Sequence, residues 1–201
     1  MSDPIWTTFA NLTKITEEAD SLLATYSRTI VGHDFGRFTV DVDDEDTETI
    51  EDEGNWSCLY HVTNYRVYER THRLASRGKL ALAISFYRYE DDAGNAWPGA
   101  KRAKLYVGFA PVAKAWDTYS LFVNGAGDAP SAAYLGDGLW GNHGKDGSLA
   151  SWFFCLALSS INSRTDLDEL ALTPASRLMN GASAKDAFQG IEAILAGPDH
   201  R

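Results

Sequence analysis

The sequence predicts a single α+β domain over residues 1–201, an antiparallel β-meander sheet flanked by a long N-terminal helix and by C-terminal helices. Three observations carry this prediction. Apolar residues recur at helical spacing from Ile5 to Tyr26, β-branched and aromatic residues dominate from Trp56 to Asn124, and helix caps return after Ser148. A chain of 201 residues is long enough to bury a substantial core. Its 44 % hydrophobic and 12 % aromatic content belongs to a globular chain, not a disordered one.

The first element is a helix over 4–31. Asp3 is placed as its N-cap and Pro4 in its first turn, and Ile5, Phe9, Leu12, Ile15, Leu22, Leu23 and Tyr26 form one apolar stripe that ends before Gly32. The sheet region follows over 36–124. "FGRFTVDV" switches the period to two, with Phe38, Val40 and Val42 on one face and Arg37, Thr39 and Asp41 on the other. Further strands are expected near 57–73, 79–90, 103–110 and 117–124, separated by "SRG", "DDAGNAWPGA" and a short link after Pro111. Short links of this kind favour antiparallel neighbours.

Residues 124–148 hold seven glycines in twenty-five positions and read as a Gly-rich loop. The part from 148 to 197 reads as helical. Ser148 suits the cap of a helix carrying Leu149, Trp152, Phe153 and Leu156, with a buried strand as the other reading of "SWFFCLALSS". Thr173 with Pro174 and then Gly181 frames a short helix, and Ser183 with Asp186 opens another that closes near Gly197 and Pro198.

Cys58 and Cys155 lie in apolar surroundings without a Cys-x-x-Cys pattern and read as reduced thiols. "MSDPIWTTFANLTK" has no basic n-region, and no later stretch approaches the ~18 apolar residues of a membrane span. A cytoplasmic, soluble protein without membrane contact is the expectation, and the sequon at Asn11 to Thr13 then has no use.

Charge is distributed unevenly. The chain carries 28 acids against 18 Lys and Arg, and nine of those acids fall in the thirteen positions from Asp41 to Glu53. Without them the molecule is nearly neutral. A phosphate backbone is repelled by such a run, so direct nucleic-acid binding is not expected. Read as a calcium loop from Asp41, the run places Asp46 where the sharp turn needs glycine, so no metal and no cofactor is expected. What remains is an exposed acidic loop that attracts a basic protein partner, for example one that itself binds nucleic acid. Its expected contact residues are Asp43, Asp44, Glu45, Asp46, Glu48, Glu51, Asp52 and Glu53, with Trp140 as an aromatic anchor. An inhibitor, adaptor or immunity-type protein fits this reading, and an enzyme does not lead it.

The competing expectation is an enzyme or a nucleotide or small-ligand binder. Its candidates are His143 as a general base with Asp137 or Asp146, Lys145 as a cation, and Arg66 with Arg70. On a strand Arg66 and Arg70 share one face while Arg73 and Arg77 take the other, and Tyr60, Tyr65, Tyr68, Tyr87 and Tyr89 lie near enough in sequence to stack bases. The motif matches are partial. Gly136, Gly138 and Gly141 satisfy G-x-G-x-x-G without the flanking strand and helix of a βαβ unit. "HVT" at 61–63 resembles half of the paired motif of 2H phosphoesterases, with no second copy. "KLYVGFAP" at 104–111 is similar to the RNP2 strand of RNA-recognition motifs, but no RNP1 segment follows and at least two strands precede it, so that family is not assigned. The two expectations separate on geometry, because a ligand site requires the Gly-rich segment, Arg66, Arg70 and His61 to converge on one pocket.

Overall fold

Proline, which needs no backbone N–H bond in a first turn, opens helix α1 (Pro4–Gly32). The computed structural model describes residues 4–51, 59–85, 102–111, 132–147 and 149–195. At 1.5 Å per residue the 29 residues of α1 extend roughly 43 Å. Among its described side chains, Tyr26, Thr29 and Ile30 are buried and Leu22 packs against the core, whereas Ile5 and Trp6 near its start are each 67 % exposed.

Among the described residues seven strands form one sheet: β1 (Phe38–Glu51), β2 (Leu59–Glu69), β3 (His72–Ser85), β4 (Lys104–Pro111), β5 (Ala133–Gly136), β6 (Leu139–His143) and β7 (Leu149–Ala157). Their order is β1-β2-β3-β4-β7-β6-β5, and every neighbouring pair is antiparallel. The first four strands make the expected meander. The last three make a second one that runs back from the far edge, so that β7 closes against β4.

The strand period of two assigns the core. Leu80, Leu82 and Ile84 of β3, Leu105 and Val107 of β4, and Trp152, Phe154 and Leu156 of β7 join Tyr26 and Ile30 in the larger cluster. Their strand neighbours Ala81, Ala83, Tyr106, Phe153 and Cys155 form a second cluster on the opposite face. Helical segments α2 (Arg164–Asp166), a π-helical turn (Leu167–Leu172) and α3 (Thr173–Met179) pack onto the larger cluster through Leu167, Ala171, Leu172, Ala175 and Leu178. Pro174 explains the π turn. It has no N–H to donate and its ring crowds the carbonyl four residues back, so the helix widens before it.

Several boundaries differ from expectation. "SRG" is not a turn but part of β3, and the reversal falls at Arg70 and Thr71. Gly78 serves close approach: a Cβ there would lie 2.3 Å from the Ala110 carbonyl oxygen and 2.7 Å from the Phe109 ring. "SWFFCLA" is the buried strand β7 rather than a helix, because both of its faces are covered. Ser183 does accept from the Asp186 N–H as an N-cap, but its helix α4 (Ala184–Ala187) is four residues long. Ile194 then pairs with Leu156, so the chain there is extended and not helical. The expected strand at 117–124, the first part of the Gly-rich loop and Cys58 lie outside the described residues, and Cys155 is a buried thiol. Among the described residues no helix is long and apolar enough to cross a membrane.

Candidate functional site

The acidic run is not a loop. β1 continues through it to Glu51, and its sequence "FTVDVDDEDTETIE" carries seven carboxylates in fourteen positions. Three features of the pairing account for this. First, β2 supplies β-branched and aromatic partners, including Tyr65 for Glu45, Thr63 for Thr47 and Val62 for Glu48. Second, β1 is the outermost strand, with no strand beside its outer edge among the described residues, and an edge is the sheet position that tolerates charged residues. Third, the ladder is interrupted where the charge is densest. Asp41 stands opposite Arg66 and Glu45 opposite Tyr65, which leaves residues 42–44 as an insertion with no partners on β2. Within that bulge the Asp43 N–H donates to Asp41 Oδ1 at 3.0 Å, and Asp43 itself is exposed. Asp44, Glu45, Asp46, Glu48 and Glu51 are described through their backbone, and Asp52 and Glu53 lie outside the described residues.

Arg70 and Arg77 do not join a basic stripe, because each is paired with its own carboxylate. Arg70 sits in the β2–β3 reversal and is taken up by the connection from α1 to β1: its Nη2 donates to Asp34 Oδ1 at 2.6 Å and its Nε to the Phe38 carbonyl at 3.2 Å. The Gly36 N–H, first, and then Arg70 hold the Asp34 carboxyl below its ordinary range. Arg77 pairs with Glu69 at 2.6 Å. Neither guanidinium is answered by the acidic run. Arg66 is exposed on β2, while Tyr65, one of the expected stacking residues, is fully buried with its hydroxyl 3.1 Å from Ser27 Oγ. Tyr87 and Tyr89 lie outside the described residues.

The expected aromatic anchor is a core residue. Trp140 is 4 % exposed, stacked on Phe153 at 6.0 Å and flanked by Tyr134 at 5.1 Å. It belongs to a hairpin that replaces the second half of the expected Gly-rich loop. Gly136 pairs with Leu139, so Asp137 and Gly138 are the two turn residues, with φ of 50° and 83°. Two consecutive left-handed residues make the reversal whose twist suits adjoining strands, and Asp-Gly is the sequence that adopts it most readily. That dipeptide, flanked by Tyr134-Leu135 and Leu139-Trp140, was the signal available in the sequence.

The hairpin also separates His143 from Asp137, one of its two proposed carboxylate partners. Asp137 lies in the turn before β6 and His143 ends that strand, so the length of β6, about 13 Å over its five residues, stands between them. His143 is exposed, and its Nδ1 lies 3.1 Å from the Gly147 carbonyl oxygen; Lys145 is also exposed. From β6 to the arginines of β2 there are four strand spacings, about 19 Å. His143 and Lys145 therefore do not converge with Arg66 and Arg70. Among the described residues no group of three His, Cys, Asp or Glu side chains is placed to hold a metal ion.

One close pair was not foreseen. His33 Nδ1 lies 2.7 Å from Asp168 Oδ1, joining the end of α1 to the π-helical turn, while its buried Nε2 has no hydrogen-bond partner. The residues are 135 positions apart, and nothing local in either segment announces the contact. Comparison with protein-family models, curated proteins and solved structures finds no significant match.

Proposed function

We propose that this chain is a cytoplasmic macromolecule-binding protein of the inhibitor, adaptor or immunity type, and that β1 is the surface with which it engages a basic protein. The observation behind this reading is the combination of a sheet edge that no strand covers among the described residues with seven carboxylates on a single fourteen-residue strand. An open edge offers backbone N–H and C=O groups to an extended segment, and the side chains of that segment decide which partner is accepted. Here the carboxylates select Lys and Arg and repel acidic or identical edges. Over a screening length of about 8 Å at physiological salt they also speed encounter with a basic surface. A partner whose own basic face binds nucleic acid would be occupied by such a strand without this protein touching nucleic acid.

The reading is tested with the variant Asp43→Asn, Asp44→Asn, Glu45→Gln, Asp46→Asn and an alternating Lys-Val peptide, titrated by calorimetry at low and high salt. Wild type is expected to bind with an affinity that falls steeply as salt rises, and the variant to bind at least about tenfold more weakly at low salt. Equal affinity for both proteins would reject β1 as the surface. The ligand-site reading is not favoured, since it requires His143 and Lys145 to act together with arginines four strands away.

A further inference from the structure

A cleft of about 380 Å³ lies under the middle of α1, where Ile15, Glu18 and Leu22 stand over Ile84, Leu158 and Ile161. Ala103 and Ser159 complete its lining. The spacing of the three helical residues puts them on one face of α1, and Ile84 is fully buried at the cleft floor. Close-packed interiors leave few voids larger than a water molecule, and this volume falls within the range of recognition pockets. The walls are aliphatic, and the one ionisable lining group is the carboxylate of Glu18, which is exposed at the rim. Charges next in sequence to the lining residues are Glu17 against Lys14, Arg102 and the buried Lys104, so Glu18 supplies the acidic contact at the cleft itself.

Strand register ties this cleft to the acidic edge. Ile84 pairs with His61, and His61 pairs with Thr49 in the middle of the acidic run, so floor and run are two strand spacings apart, about 10 Å. A segment lying outside β1 would be one spacing further, about 14 Å away, still well inside the span of an ordinary protein interface. We infer that the cleft under α1 receives an aliphatic side chain, next to a Lys or Arg, from the same basic protein that engages β1. Interfaces concentrate their binding energy in such filled pockets while the charged surround sets specificity and encounter rate. The inference rests on the proposed function and adds the apolar half of the partner's recognition signal.

The test uses two peptides. One is the alternating Lys-Val peptide; the other carries in addition a five-residue Gly-Ser spacer ending in Leu-Lys, which at about 3.3 Å per residue reaches the cleft from outside β1. The longer peptide is expected to bind wild type about tenfold more tightly, one buried anchor being sufficient for that gain. Ser159→Trp, which fills the cleft from an exposed position, and Ile15→Arg on the opposite wall should each remove the gain and leave the shorter peptide unaffected. Circular dichroism of both variants checks that they fold. A gain that is absent in wild type, or that survives both substitutions, overturns the cleft while leaving the acidic edge standing. Failure of both peptides to bind overturns the two readings together. A wild-type mass that doubles with concentration from 22.1 kDa, and does not in Ser159→Trp, would assign the cleft to a second copy and overturn the inference as well.

Discussion

The two edges of the sheet solve the same problem by different means. At one edge β5 is four residues long, begins with an alanine and ends at a glycine, and carries an aromatic stack from Tyr134 through Trp140 to Phe153 that faces the protein's own second core cluster. At the other edge β1 is fourteen residues long and half of them are carboxylates. A short edge offers little to pair with, whereas a long one must be charged or occupied. The aromatic edge is thus tied into the protein's own core, and the charged edge is the one proposed for recognition.

Substitutions should divide along that line. Trp140→Ala removes a buried ring from the stack and should cost about 3–5 kcal/mol, read from denaturant unfolding. A loss below about 1 kcal/mol would mean that the β5–β6 edge is not a structural one. Near the charged edge the effects should be smaller and should depend on pH. Tyr26, which anchors α1 beneath the first strands, has its phenol held well above the ordinary value by burial and then by Tyr65. The unfolded chain ionises first, so the stability this group contributes is complete below about pH 10 and falls as pH rises beyond it. Tyr26→Phe should flatten that alkaline loss, since the hydroxyl has no hydrogen-bond partner in the fold; an unchanged slope would assign it to other groups. Neutralising Asp43 to Asp46 should change stability by no more than about 1 kcal/mol, with relief of repulsion as the expected sign. A large loss would show that these side chains hold the fold. His143→Ala is expected to have the least effect, within about 0.5 kcal/mol, because the imidazole is exposed.

Periodicity made the fold class legible. Helix α1 was bounded to within a residue, the meander from β1 to β4 followed from short links and β-branched runs, and the Ser183 cap lay where its spacing placed it. The failures have separable causes. Carboxylates lack strand propensity, so a charge run was read as a break, although an edge strand needs only one paired side and tolerates solvated side chains on the other. Glycines were read as loop when Gly78 and Gly141 serve close backbone approach and Gly138 a two-residue turn. Trp140 looked like an anchor because its hairpin went unrecognised. Contacts such as His33 with Asp168, or the cleft joining α1 to β3 and the turn after β7, arise from tertiary packing and have no local signature.

Hydrogen exchange of the β1 amides gives the most direct reading of whether this edge accepts a partner strand. An alternating Lys-Val peptide should slow exchange between Glu45 and Glu51, while a Lys-Pro peptide of equal charge and length, which lacks the donors at every second position, should not. Equal protection by the two peptides, or none by either, would contradict strand addition at the acidic edge.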